Sequence, residues 1–279
     1  MKRDPRCSIS YWDKWISFSE DSLLEDWDRV KKPSKNPDYR PQFVFEMVKD
    51  SYHNIIMKYS RGDSVGEISQ YFERILDAWE LSEKLGKDVW SEEIRFMRHS
   101  WTVNIDLYVM CFWLTGLALA LKVDDTQWLR LVSLMGNEGE DVILDRVIAS
   151  RQSGRRIGKK ICFPKAYQKL IGVIDSIPSD QPALLREFVE GWLPGLEEAG
   201  SNSFPKAHRT PYWWGFCNDE TRGLKGAYFG CWCIEAVAVA KAFGIDDTCC
   251  LDHPYYPGDL IKDGRSPRYP DVPSPYESL

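Results

Sequence analysis

GAYFGCWCIEAVAVAKAFGIDDTCCLDHPYYPGDL, residues 226–260, is echoed upstream by CFWLTGLALALKVDDT, residues 111–126. Each copy is an apolar run of helical character that closes on Ile-Asp-Asp-Thr or Val-Asp-Asp-Thr. Such an echo points to stacked helices, each burying its apolar face on a neighbour. The paired aspartates invite a magnesium reading, because hard cations take carboxylate oxygens arrayed along one face. Their spacing opposes it. Asp246 and Asp247 are followed by Thr248, Cys249, Cys250 and Leu251 before Asp252, and Asp124 and Asp125 by Thr126, Gln127, Trp128 and Leu129. Neither copy places a third acid one turn on, so both read as punctuation: Gly244 takes the left-handed turn that ends a helix, Ile245 packs back, and the aspartates cap the next helix.

Helical spacing runs through most of the chain. Ser64 and Glu67 form a capping box, and Val65, Ile68, Phe72, Ile75, Leu76 and Trp79 follow at helical intervals up to Gly86. Similar runs predict helices over 42–59, 92–122, 126–135, 138–150, 164–176, 182–200 and 221–243, with Pro182 at the first position of its helix. Alternating runs of strand length are nearly absent. The expected fold is therefore all-α, built of stacked antiparallel helices in two domains, 1–125 and 126–279. Residues 31–41 (KKPSKNPDYRP) read as a loop joining an N-terminal helix to the bundle. Residues 151–160 (RQSGRRIGKK) set five basic side chains around two glycines and read as an exposed linker. The proline-rich tail from Asp252 is expected to wrap the surface.

With 279 residues, 43% hydrophobic and 28% charged, the chain has the composition of a soluble globular protein with a full core. Its N-terminus lacks the uninterrupted apolar stretch of a signal peptide, which predicts a cytoplasmic location. The longest apolar run, 107–121, is interrupted by Thr115 and Gly116 and is too short for a membrane span. Eight cysteines are expected to be reduced and mostly buried. A zinc site from Cys231, Cys233, Cys249, Cys250 and His253 is disfavoured, because Cys231 and Cys233 fall in the apolar run rather than on a turn.

A net charge of −6 argues against nucleic acid as a direct partner and is compatible with a basic protein as one. The acids gather at Glu20, Asp21, Glu25, Asp26 and Asp28, at Glu138, Glu140, Asp141 and Asp145, and at Glu197 and Glu198. A solvated helix face explains each; a surface that meets a cationic site on another protein is the functional alternative. The four histidines are scattered, and no metalloprotease, nucleophile-elbow, phosphate-loop or dinucleotide motif occurs. No catalytic residue, cofactor or metal is assigned. Glu235, the one acid inside the C-terminal apolar run, is expected to be structurally paired, with Arg222, Lys225 or a tyrosine hydroxyl as partner.

Gly226, Tyr228, Gly230, Trp232, Glu235, Ala236, Ala238, Ile245, Asp246 and Asp247, followed by Tyr255-Tyr256-Pro257 and Asp259-Leu260, resemble the C-terminal signature of the PoNi-type immunity proteins. Tyr59-Ser60-Arg61-Gly62, before an acidic amphipathic helix ending near Trp79, resembles the family's usual N-terminal companion domain. Cys231, where a bulkier aromatic is expected, and Gly258 after Tyr-Tyr-Pro depart from the pattern. The resemblance implies an all-helical, two-domain cytoplasmic protein that binds and neutralises a cognate nuclease toxin of a type VI or related secretion system. It carries over no binding residue. Charge clustering and the loop TPYWWGF nominate Glu138, Glu140, Asp141, Asp145, Glu197, Glu198, Trp213 and Trp214 as partner contacts, and a homodimer is left open. The competing reading is a carbohydrate-active hydrolase on a helical-hairpin scaffold. Twelve tryptophans and paired acids would serve it, Trp213 and Trp214 lining the sugar cleft.

Overall fold

The computed structural model describes residues 1–219 and 223–272 and is all-α, with no strand among them. The helices are α1 (Ile9–Val30), α2 (Arg40–Arg61), α3 (Val65–Ser69), α4 (Phe72–Gly86), α5 (Glu92–His99), α6 (Ile105–Ala120), α7 (Asp125–Met135), α8 (Val142–Ala149), α9 (Pro164–Asp175), α10 (Gln181–Leu196), α11 (Trp214–Asn218) and α12 (Ile234–Phe243). On one side α2 packs between α1 and α4; on the other α9 and α10 form a hairpin. Between these layers α12 touches α6, α8, α9 and α10.

The two echoed runs pack directly on each other as α6 and α12. Both are buried nearly all round, as expected of helices without a polar face. Their backbones approach closely at Gly116, where an added Cβ would lie 2.8 Å from Ile234 Cγ2 and 3.1 Å from the Ile234 carbonyl oxygen. Gly116→Ala is therefore expected to lower stability by about 1–2 kcal/mol, read by urea unfolding, because crowding outweighs the gain in helix propensity. An unchanged or raised midpoint would mean that the crossing is loose.

The first Asp-Asp-Thr segment punctuates as expected, whereas in the second Asp247 makes no capping bond. Asp124 caps α7 by accepting from the Gln127 amide, and Gly244 ends α12 in the left-handed conformation. Asp246 Oδ1 accepts from the Thr248 amide at 3.0 Å, while buried Asp247 accepts from the Tyr256 hydroxyl at 2.8 Å and pairs with Arg265 at 2.6 Å.

Several boundaries differ from the sequence expectation. The Ser64 capping box is present, but the run it opens breaks at Gln70, where a tightened turn from the Tyr71 amide to the Ile68 carbonyl separates α3 from α4. The predicted 92–122 helix is two helices, because Asn104 caps α6 at the Leu107 amide. Of the predicted 221–243 helix only Ile234–Phe243 forms; Thr221 and Arg222 lie outside the described residues. Gly226 and Gly230 have positive φ, so Cys231 and Cys233 sit in irregular chain before α12 rather than on a helix. The tail does more than wrap the surface: Tyr256–Leu260 is buried, and Tyr269 bridges to Lys2 in antiparallel fashion.

This tail closes a seam with Lys2 and Arg3. Arg3 Nε donates to Asp259 Oδ2 at 2.6 Å, with both side chains fully buried. The Trp232 indole donates to Ser60 Oγ at 2.9 Å, and a side-chain carbon at Gly230 would collide with that same oxygen. Tyr59, Ser60, Gly230, Trp232 and Asp259 thus gather at one junction.

Candidate binding surface

Glu235 is fully buried on α12. Its Oε1 accepts from the Tyr167 hydroxyl at 3.0 Å and the Trp192 indole at 3.2 Å, so of the partners foreseen it is the tyrosine hydroxyl that pairs with it. Lys225 lies elsewhere on the surface, and Arg222 is outside the described residues. Oε2 makes no full hydrogen bond, and burial pushes the carboxyl up to about 7 against the pull of its own amide, Trp192, Trp113 and Tyr167. Trp113 and Trp192 enclose Trp213, with ring centroids 4.8 and 5.8 Å from it. Glu235 therefore belongs to an aromatic core.

The acidic stretch 138–145 and the basic segment 151–160 pack on each other, joined by the ion pair of Asp145 with Arg155. Asp141, fully buried, caps α8 through the Ile143 and Leu144 amides and accepts from the Tyr108 hydroxyl at 3.0 Å and the Cys162 amide at 2.8 Å. Asp145, also fully buried, pairs with Arg155 Nε at 2.7 Å and accepts from the Gly139 and Gly158 amides. Burial raises its pKa, with Arg155 pulling the other way. Glu138 accepts from the Arg156 amide at 2.6 Å. The basic segment is thus a folded-back brace rather than a free linker.

The nominated partner contacts accordingly divide. Asp141, Asp145 and Trp213 are buried and present nothing to a partner, which corrects their assignment. Trp214 is half-buried, with its indole donating to the Leu193 carbonyl at 2.8 Å. Glu138, Glu140, Glu197 and Glu198 are exposed, Glu198 being paired with Lys206 at 2.9 Å. Of the two tryptophans in the hydrolase reading, Trp213 is buried and only half-buried Trp214 remains at the surface.

The aromatic of TPYWWGF that does reach solvent is Tyr212, 45% exposed. Three depressions meet at it. One, of about 150 Å³, includes Gln42, Lys49, Arg98 and Asp106; a second, of about 520 Å³, includes Glu197, Glu198 and Trp214. The third is a groove of about 640 Å³ between α1 and residues 212–216 and 225–229, walled by Trp15, Phe18, Met57, Phe216 and Phe229, with Asp50 in its lining. The Tyr212 hydroxyl lies 2.8 Å from His53 Nε2, and the His53 ring stacks on Phe229 at 3.8 Å. Burial, then Lys49, pushes His53 down to about 3, so it is neutral at physiological pH.

The sequence reading missed Tyr212, Asp50 and Phe18. A signal existed for Phe18: α1 buries Tyr11, Trp12, Ile16, Leu23 and Val30, and Phe18 stands off that stripe.

Cys217 and Cys231 form a disulfide with Cα atoms 5.7 Å apart, contrary to the expectation of reduced thiols and incompatible with Cys231 as a zinc ligand. Among the described residues no three His, Cys, Asp or Glu side chains gather as a metal site, and no helix is long and apolar enough to cross a membrane.

Two family models match the chain: PoNe immunity protein (PoNi), N-terminal, over residues 3–133, and PoNe immunity proteins (PoNi), C-terminal, over residues 139–260. The fold is similar to that in the crystal structure of protein PA2201 from Pseudomonas aeruginosa, with a TM-score of 0.64 at 16% identity, covering 95% of this chain and 92% of that one. No curated protein matches.

Proposed function

This chain belongs to the PoNe immunity protein (PoNi) family, and from that premise we propose that it neutralises a nuclease toxin of a type VI or related secretion system by direct binding. The observation that carries the reading is the pair of family matches, which together span most of the chain. The role proposed is inhibitory and non-enzymatic; Glu235, on the central helix α12, is held by Tyr167 and Trp192 inside an aromatic core. A DNA-cleaving toxin needs a basic substrate cleft and carboxylates that hold a metal. An inhibitor of net charge −6 suits such a cleft, so the mechanism proposed is steric and electrostatic occlusion. DNA is the toxin's target, which places the encounter in the cytoplasm.

Co-expression tests this directly. Cells making the toxin encoded with this chain should survive when the chain is supplied, and the two purified proteins should form a complex that suppresses DNA cleavage. Survival without complex formation would overturn direct binding. A stable complex that leaves DNA cleavage intact would overturn occlusion.

A further inference from the structure

The groove between α1 and residues 212–216 and 225–229 differs from an ordinary solvated helix face in two ways. The first is apolar exposure: Phe18 on its wall is 61% exposed. A phenylalanine held in water beside an aromatic-walled groove, with half-exposed Tyr212 at its rim, marks a surface that another molecule covers. The second is unpaired charge. Asp50 has no hydrogen bond or ion pair to another described residue, although solvent reaches it, and crowding by the walls, then Glu46 and Asp26, pushes its carboxyl up to about 6. Asp21 and Glu25 follow Phe18 by three and seven positions, which keeps them on its face of α1; both are exposed and likewise unpaired. Against them stands Lys225, while Lys14 lies over the Trp15 ring at 4.9 Å.

We propose that this groove is where the toxin docks: an arginine or lysine of the toxin meets Asp50, an apolar neighbour seats on Phe18 and Trp15, and Tyr212 stands at the centre of the contact. The proposal rests on the family reading that the chain binds a toxin, and it adds the surface and its chemistry. The occupant follows from charge. An aromatic-walled groove with an unpaired carboxylate suits a guanidinium or ammonium group, which gains both the ion pair and the ring faces. Tyrosine and arginine at the centre of an interface, sheltered from water, commonly carry most of the binding energy. The cost of holding Asp50 ionised without a counter-ion is met in the free protein and relieved in the complex.

The test is titration calorimetry of the full chain against its toxin, inactivated by mutation, at low and at physiological salt. Asp50→Lys should weaken binding about 100-fold, and Asp50→Asn and Phe18→Ser about 10-fold each. The salt dependence should fall with the loss of Asp50's charge. Thermal melts of the Asp50 variants should not be lowered, because the fold gains nothing from that carboxylate; a loss of affinity without loss of stability identifies a docking residue. The Glu138→Lys/Glu140→Lys double variant, off the groove, should bind within about 2-fold of wild type.

Asp50→Lys and Phe18→Ser variants that bind as wild type does would overturn the groove while leaving the immunity reading intact. So would a groove that seats a second copy of the chain, seen as a dimer that Asp50→Lys dissociates with no change in toxin affinity. A wild-type chain that fails to bind or protect would overturn the immunity reading itself.

Discussion

Asp259→Ala is expected to destabilise the chain by about 3–5 kcal/mol, the penalty for leaving a buried charge without its partner. Arg3 is the charge in question. Its Nε lies 2.6 Å from Asp259 Oδ2 with both side chains fully buried, its Nη1 donates to the carbonyls of Tyr59 and Asp63, and its guanidinium lies 4.4 Å over the Tyr59 ring. Asp259 is satisfied by more than Arg3: Arg268 pairs with Oδ2 at 2.6 Å, and the Ser266 amide donates to Oδ1. Burial alone would raise the pKa of Asp259, but the Ser266 amide, Arg3 and Arg268 outweigh it and hold the carboxyl below its ordinary value. The pair therefore contributes stability above the unfolded-state pKa and loses it as pH falls through the lowered folded value.

Alanine removes the acceptor of two guanidiniums at once. Asp263, 3.0 Å from Arg3 Nη2 but 45% exposed, replaces only part of the interaction. Replacing both members, as Arg3→Met/Asp259→Leu, should recover a good part of the loss, since a well-packed apolar pair needs no charge compensation. Guanidinium unfolding of the single and double variants measures both effects. A cost for Asp259→Ala below about 1 kcal/mol would show that the seam is held by apolar packing instead.

That seam also explains what the sequence could show. The family-like residues of the two halves, Tyr59-Ser60 on one side and Gly230, Trp232 and Asp259 on the other, are the ones that meet there. They are legible because each is locally unusual: a glycine at φ 112°, an indole that needs an acceptor, an acid in apolar sequence. Helices α2, α7, α9 and α10 were legible because periodicity and end signals agree. The run 221–243 was not. Apolar composition looks the same in a buried helix and in buried irregular chain, and what decides here is three positive-φ glycines, Gly223, Gly226 and Gly230, with a disulfide to Cys217. Acid clustering misled for a related reason. Asp141 and Asp145 are adjacent in sequence to exposed acids, yet they cap a helix and pair with Arg155, which is read from geometry and not from charge counts. Asp50 was invisible because, beyond His53 and Met57 of its own helix, its neighbours in the groove come from α1 and from residues 212–216 and 225–229, distant in sequence.

Replacing Glu235 by glutamine should flatten part of the pH dependence of stability. The carboxyl titrates at about 7 in the folded chain against an ordinary value of 4.5, chiefly because burial disfavours the anion. Between these values the folded state holds a proton that the unfolded state has released. The stability contributed is therefore complete below 4.5 and is lost as pH rises toward 7, at about 1.4 kcal/mol per pH unit where the difference is fully developed. The total is about 3 kcal/mol, as an order of magnitude. Glutamine keeps an oxygen for the Tyr167 hydroxyl and the Trp192 indole but carries no charge to bury. Glu235→Gln should therefore match the wild type near pH 4.5 and exceed it by about 2–3 kcal/mol at pH 8.

The wild-type profile alone would not reveal this, because His53 and His99, pushed down to about 3 and about 4 by burial, bind fewer protons folded than unfolded and make stability rise with pH up to their ordinary range. Asp50, raised to about 6, acts with Glu235. None of the three is among the groups that shift Glu235, so their contributions cancel in the difference between variant and wild type. Urea unfolding of both proteins at pH 5, 6, 7 and 8 gives that difference. A constant offset across the series would mean that Glu235 stays ionised in the folded core, and would transfer the role of stabilising its anion to Trp113, whose indole then completes the shell that Tyr167 and Trp192 begin.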